Sequence, residues 1–188
     1  MSDIIILPGI GGSGESHWQT RWEKENPAMT RFAPSDWENP DLADWITALE
    51  KAVRKATHPP VLVAHSLACL LVTYWQAGSE TPVAGAFLVA VPDPSSEAFP
   101  KAAASFSDPP IGRLRMPSLV VASSDDPYGT PEYSRMRARE WGSGLIEIGP
   151  AGHINGQSGL KGWREGLNLL TAFRAGIEED RGNHRYKR

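Results

Sequence analysis

Residues 61–69, Val-Leu-Val-Ala-His-Ser-Leu-Ala-Cys, run apolar up to a serine and then turn apolar again, with Ala64 and Ala68 two positions either side of Ser66. A buried strand that turns abruptly into a helix reads this way. When the flanking positions are small, such a turn is a nucleophile elbow: it leaves no room for side chains, and the serine hydroxyl stands clear of the backbone. The usual form is G-x-S-x-G, and both glycines are alanine here, so the match is relaxed. Taken alone, the same residues also describe a helix whose serine caps the free amides of its first turn.

The order of the other polar clusters adds to the motif. Asp125-Asp126-Pro127 comes directly after the apolar run at 118–122, and Gly152-His153-Ile154-Asn155 comes just past the run at 145–148. Each cluster follows a strand-like run, at the edge where open α/β sheets build their sites. The chain order Ser, Asp, His is that of α/β-hydrolases and differs from the two other well-known serine protease orders.

Length and composition leave this reading free. The 188 residues suit one domain, predicted over 1–176, and the 40% hydrophobic and 22% charged content is ordinary for a soluble globular chain. Net charge is -3 and Lys and Arg are scattered, so no nucleic-acid partner is expected. The basic stretch Arg181-Gly-Asn-His-Arg-Tyr-Lys-Arg188 reads as part of a polar, mobile tail over 177–188. The start, Met1 followed by Ile4-Ile-Ile-Leu7, lacks the basic segment and apolar length of a signal peptide, and no run is long enough to span a membrane. Cys69 is the single cysteine, so no internal disulfide forms, and a cytoplasmic location is expected.

Apolar runs predict strands near 4–8, 61–65, 86–91, 118–122 and 145–148, with a weaker one near 30–33. Leu42, Trp45, Ile46, Leu49 and Val53 recur at helical spacing after Asn39-Pro40, which reads as N-cap and first helical position. Leu160, Trp163, Leu167 and Leu170 repeat the pattern. Strands alternating with helices imply a three-layer α/β/α sandwich around a mostly parallel sheet of about six strands. Right-handed crossovers bring Ser66, Asp126 and His153 to one edge.

The loop Pro8-Gly-Ile-Gly-Gly-Ser-Gly14 supports two readings. Gly9, Gly11 and Gly14 satisfy G-x-G-x-x-G, so a nicotinamide-dinucleotide site is one, with Asp36 as the ribose ligand; Pro34 makes the strand that should precede Asp36 doubtful. The other makes the loop a source of oxyanion-binding amides, from Ile10 or Gly11, beside the amide of Leu67. The second also gives Ser66, Asp126 and His153 something to do. No Lys-Ser/Thr pair follows the glycines, which excludes a P-loop.

The motifs Leu7-Pro8-Gly9, His17-Trp18, Asp36-Trp37, Val63-Ala-His-Ser-Leu-Ala68, Ser124-Asp-Asp-Pro-Tyr128 and Gly152-His-Ile-Asn155 together resemble the small serine hydrolases related to retinoblastoma-binding protein 9 and their bacterial relatives. The resemblance spans about residues 4–175. It implies a compact α/β-hydrolase fold without a large cap, with Ser66 as nucleophile, His153 as base and Asp126 as the residue that orients the base. Ala68 departs from the glycine of many relatives.

Between the two aspartates, Asp126 is favoured because Pro127 fixes the chain just after it and because the resemblance points to that position, and Asp125 is the alternative; the unused one should cap the turn. His65 should point away from Ser66 by strand alternation and serve the structure. His17 and Trp18 follow the glycine loop and either line the acyl pocket or, for Trp18, pack on the sheet. Trp22, Trp45, Trp75, Trp141 and Trp163 read as helix packing residues. Metal-ligand spacings such as H-x-x-x-H or C-x-x-C are lacking, and neither metal nor organic cofactor is expected.

The sequence therefore predicts a small serine hydrolase of carboxylic esters or related acyl compounds, working through an acyl-enzyme. Its pocket should be shallow and suit short or protruding acyl groups. A non-catalytic binding protein on a hydrolase scaffold, with a protein partner the sequence does not name, is the alternative from another class. A nicotinamide-dependent oxidoreductase is the third.

Overall fold

All four residues of β1, Ile4–Leu7, are buried because both faces of the strand are covered. Ile5 and Leu7 enter one apolar core and Ile4 and Ile6 the other. Strands enclosed on both sides lose the apolar–polar alternation of half-exposed ones and read as continuous apolar runs. The computed structural model describes the backbone of residues 3–185 and the side chains of residues 3–178.

The other strands are β2 (Met29–Arg31), β3 (Val61–His65), β4 (Gly85–Val89), β5 (Ser118–Ala122) and β6 (Gly144–Glu147). They form one sheet in the order β2-β1-β3-β4-β5-β6, and every pairing is parallel. The helices are α1 (Trp18–Glu25), α2 (Leu42–Lys55), α3 (Leu67–Gly78), α4 (Pro131–Trp141) and α5 (Arg164–Arg185). Buried side chains of α2, α3 and α4 share one core, and those of α1 and α5 share the other, which gives the three layers and the compact α/β-hydrolase fold. The strand order reverses between β1 and β3. Such a switch point leaves a crevice at the C-terminal strand ends, where neither connection can cover the other.

Three local readings of the sequence need correction. Helix α2 is capped by Asp41, whose carboxylate accepts the Asp44 amide at 2.9 Å, so Asn39 and Pro40 lie before the cap. Leu160 and Trp163 lie ahead of α5, with Lys161 and Trp163 at φ 51° and 38°; their spacing looks helical, yet they are loop residues folded onto the core. The domain does not stop at 176. Helix α5 continues, and Ile177 is 5% exposed within the second core. The mobility expected of the tail's end, residues 186–188, lies outside the described residues.

One polar cluster ties α2 to the end of α3. The Glu50 carboxylate accepts hydrogen bonds from Trp75 Nε1, Ser79 Oγ and Thr81 Oγ1, each at 2.7 Å, and pairs with Arg54. Burial pushes its pKa up, but the bonds from Ser79, Thr81, Trp75 and Arg54 outweigh this and hold it at about 2. Glu50→Ala, which leaves these donors without their acceptor, should lower unfolding free energy at pH 7 by about 2–4 kcal/mol. A carboxylate with a depressed folded pKa stabilises above its unfolded value of 4.5, and that share is lost as pH falls toward 2. Urea titrations should therefore show wild type and variant converging over that acid range.

Candidate active site at the switch point

Ser66 follows β3 at φ 55° and ψ -126°, a conformation that costs an L-residue energy and persists because its surroundings enforce it. Its amide bonds to the Val89 carbonyl at 2.9 Å, and the carbonyl accepts the Cys69 amide at 2.8 Å. Ala64 and Ala68 are fully buried beside the turn. The hydroxyl makes no capping bond to α3. It lies instead 2.8 Å from His153 Nε2, which separates the elbow from a simple serine cap.

His153 Nδ1 lies 2.8 and 2.9 Å from the two oxygens of Asp126. The carboxylate can only accept, so it fixes the tautomer: Nδ1 carries the proton and the Nε2 lone pair faces the serine hydroxyl. The side chains of His153 and Asp126 are 9% and 2% exposed, so water competes little for these bonds. The amide of Tyr128 also donates to Asp126, at 2.9 Å, and the Tyr128 ring lies 4.5 Å from that of His153.

Asp125 does the capping. It accepts the Ser123 hydroxyl at 2.7 Å and the amides of Gly152 and Ala151 at 2.7 and 2.8 Å, and these bonds, Ser123's first, lower its pKa. The adjacent aspartates thus hold the same loop by different parts, one by its backbone and one by the histidine ring.

The glycine loop after β1 runs alongside the elbow. A methyl group on Gly9 would come within 2.9 Å of Ser66 Cβ and 3.1 Å of the His65 carbonyl oxygen. Ile10–Gly12 form a single 3-10 turn, and α1 begins only at Trp18 with His17 as its cap, so no helix opens directly on the glycines as a dinucleotide site requires. Asp36 is occupied by the amides of Glu38 and Asn39 and the Asn39 side chain.

Gly11 does not supply a free amide: it donates to the Trp37 carbonyl at 3.0 Å. The amides of Ile10 and Leu67 have no protein acceptor among the described residues, and both residues line the cleft that holds Ser66. Trp18 is also corrected. It is 1% exposed, packs against Trp22 and Trp163, and donates from Nε1 to the Ile154 carbonyl at 2.7 Å, so it braces the histidine loop from beneath rather than lining the cleft.

His17 does line the cleft, which measures about 360 Å³ and is walled by Ile10, Leu67, Pro92, Phe99 and Pro100 on its apolar side. Burial, then the charges of Arg31 and His153, push the His17 pKa down to about 3. Sequence reasoning missed the wall at 92–100, a loop without periodic signal, and it missed Gln19. That side chain is fully buried on α1; its amide donates to the carbonyls of Leu7 and Val63 at 3.2 and 3.0 Å, stapling β1 to β3. Cys69 sits beneath the elbow with Sγ 3.3 Å from the Val89 carbonyl, and burial raises its pKa, so it is an inert thiol. Among the described residues, no group of His, Cys, Asp and Glu could hold a metal ion and no helix is long and apolar enough to cross a membrane.

Two outcomes follow from this packing. Gly9→Ala should cut turnover at least about tenfold, because the loop and elbow must move apart and reacting groups tolerate little displacement; kinetics on folded protein checks it. His17 titrates near 6.5 when unfolded and about 3 when folded, so the unfolded chain binds more protons between those values and stability falls on acidification. Denaturant titrations should show a loss of about 2 kcal/mol from this residue between pH 7 and 5, a slope that His17→Gln removes.

The model of the serine hydrolase family matches residues 4–172. Among solved structures, the chain is similar to a protein classed as a YdeN-like hydrolase from Pectobacterium atrosepticum, at 30% identity and a TM-score of 0.84, over 94% of this chain and 92% of that one. The ydeN gene product of B. subtilis superposes with a TM-score of 0.75 at 20% identity, over 93% and 100% of the two chains. The type II thioesterase BorB from the borrelidin biosynthetic cluster shares the fold with a TM-score of 0.63 at 18% identity, over 93% and 91%. None of the curated proteins matches the chain. The narrower likeness to retinoblastoma-binding protein 9 rests on the sequence motifs alone. A match that starts in β1 and ends in α5 takes in every element that builds the site, and the chain belongs to the serine hydrolase family.

Proposed function

We propose that the protein hydrolyses small carboxylic esters or thioesters through an acyl-enzyme on Ser66. The observation that carries this reading is the continuous pair of short contacts, Ser66 Oγ to His153 Nε2 at 2.8 Å and His153 Nδ1 to Asp126 at 2.8 Å. A serine hydroxyl is a poor nucleophile until a base takes its proton.

The steps follow from the tautomer. Ser66 Oγ attacks the acyl carbon as its proton passes to His153 Nε2, and the imidazolium that forms is stabilised by the Asp126 carboxylate. The amides of Leu67 and Ile10 hold the developing oxyanion; both are fixed by the backbone and so need no reorganisation as charge appears. His153 then gives its proton to the leaving oxygen or sulfur. Water, deprotonated by His153 in turn, attacks the acyl-enzyme; as the second tetrahedral intermediate collapses, the bond from the acyl carbon to Ser66 Oγ breaks and His153 returns the proton to Oγ, freeing the acid.

The apolar wall of Ile10, Leu67, Phe99 and Pro100 suits the acyl chain, and a volume near 360 Å³ suits short to medium acyl groups. Chain length should therefore be limited by the cleft: kcat/KM on 4-nitrophenyl esters should peak at short acyl chains and fall for long ones.

A fluorophosphonate probe with mass mapping tests the nucleophile. Labelling should occur at Ser66 and disappear in Ser66→Ala, with loss of ester hydrolysis by at least about 10³-fold. Asp126→Asn should cost about 10⁴-fold in kcat, because an amide no longer enforces the Nδ1–H tautomer. Folded protein that neither labels nor hydrolyses any acyl substrate would return the chain to the class of binding proteins.

A further inference from the structure

His65 precedes the nucleophile in sequence, is 5% exposed, and has no part in the steps above. Its Nε2 lies 2.9 Å from the backbone carbonyl oxygen of His153. A carbonyl only accepts, so Nε2 of His65 carries a proton and donates it. Burial, then the nearby charges of His17 and His153, push the His65 pKa well below the ordinary histidine value, which keeps the ring neutral. His17 stands edge-on to it, with ring centroids 4.6 Å apart, and the His65 and His153 rings are 5.0 Å apart.

The loop that carries His153 needs such an anchor. Gly152 and Ile154 flank the histidine at φ 55° and 47°, and the left-handed conformation is unfavourable for a branched residue such as isoleucine. Side chains from three parts of the fold hold this stretch, and Ser123 Oγ, after β5, shares the Ala151 amide at 2.9 Å. Asp125, after β5, takes the amides of Ala151 and Gly152. His65, the last residue of β3, donates to the carbonyl of His153. Trp18, on α1, donates to the carbonyl of Ile154 at 2.7 Å. Among them only His65 is covalently joined to Ser66, so its bond measures the base's backbone directly against the nucleophile's own strand.

We infer that His65 is a positioning residue: its Nε2–H bond to the His153 carbonyl sets the reach from His153 Nε2 to Ser66 Oγ. This rests on the hydrolase reading of the site. Without the bond, the His153–Ile154 peptide keeps only the Ile154 amide's 3.1 Å bond to the Ala151 carbonyl, so it can relax from its strained conformation and shift the imidazole relative to the hydroxyl. A displacement near 1 Å at a reacting pair costs on the order of 100-fold in rate. His65 lines the cleft but is not part of the apolar wall of Ile10, Leu67, Phe99 and Pro100, so the effect falls mainly on kcat.

The test compares His65→Gln with His65→Phe and His65→Asn on a 4-nitrophenyl ester, with Ser66→Ala in parallel. The glutamine amide reaches the place of the imidazole Nε2 and can donate the same bond; asparagine is too short and phenylalanine has no donor. The expected result is that His65→Gln stays within about fivefold of wild-type kcat, while the other two lose about 30- to 100-fold in kcat with KM changed less than threefold. Fluorophosphonate labelling of Ser66 should slow in the same proportion. If His65→Phe does not fold, the contrast of glutamine with asparagine carries the test. Equal losses for glutamine and asparagine, or wild-type kcat in any folded variant without a donor, would overturn the positioning role and leave the nucleophile in place. Activity surviving in Ser66→Ala would overturn both.

Discussion

The site depends on how closely two backbones pass at the switch point. The loop after β1 and the turn after β3 can touch only because Gly9 has no side chain where Ser66 Cβ and the His65 carbonyl would meet it. That contact sets the amide of Ile10 beside the elbow, leaves Ser66 in its strained conformation, and opens the crevice that both loops line. Gln19 completes the constraint from below by bonding to the last carbonyl of β1 and to one in the middle of β3. Around this point the fold is ordinary: six parallel strands, two apolar cores, and helices on either face.

Two kinds of interaction divide the work. Apolar burial on both faces of the sheet supplies stability without direction, and the fully buried tryptophans Trp22, Trp45 and Trp75 belong to it. Direction at the site comes from hydrogen bonds to backbone groups, made by Asp125, His65 and Trp18 on consecutive residues of one loop. His65 and His17 can serve there because burial keeps them neutral, so three histidines stand within 5.0 Å of their neighbours without mutual repulsion.

Much of this was legible in the residues. A parallel strand covered on both faces must be apolar throughout, so β1, β3, β4 and β5 announce themselves as runs, and the polar residues that end them are the ones at the sheet's working edge. Proline after Asp126, together with the family resemblance, favoured it over Asp125. Other signals misled for physical reasons. Leu160 and Trp163 keep helical spacing while folded into a loop, because burial alone selects apolar residues whatever the backbone does. Gln19 reads as a surface residue, and its burial is intelligible only once a carbonyl at the end of β1 and one in the middle of β3 need a donor.

What the sequence determined by itself was the fold class, the sheet's apolar strands, and the order in which serine, aspartate and histidine reach one edge, since these follow from periodicity and from parallel topology. Only the tertiary structure decided which amides stay unpaired, that Trp18 braces the loop instead of lining the cleft, and that His65 donates to the base's carbonyl. Those outcomes turn on contacts between segments far apart in the chain, such as the 2.9 Å from His65 to His153, which a shift of a few tenths of an ångström would make or break, and no local pattern of residues encodes them.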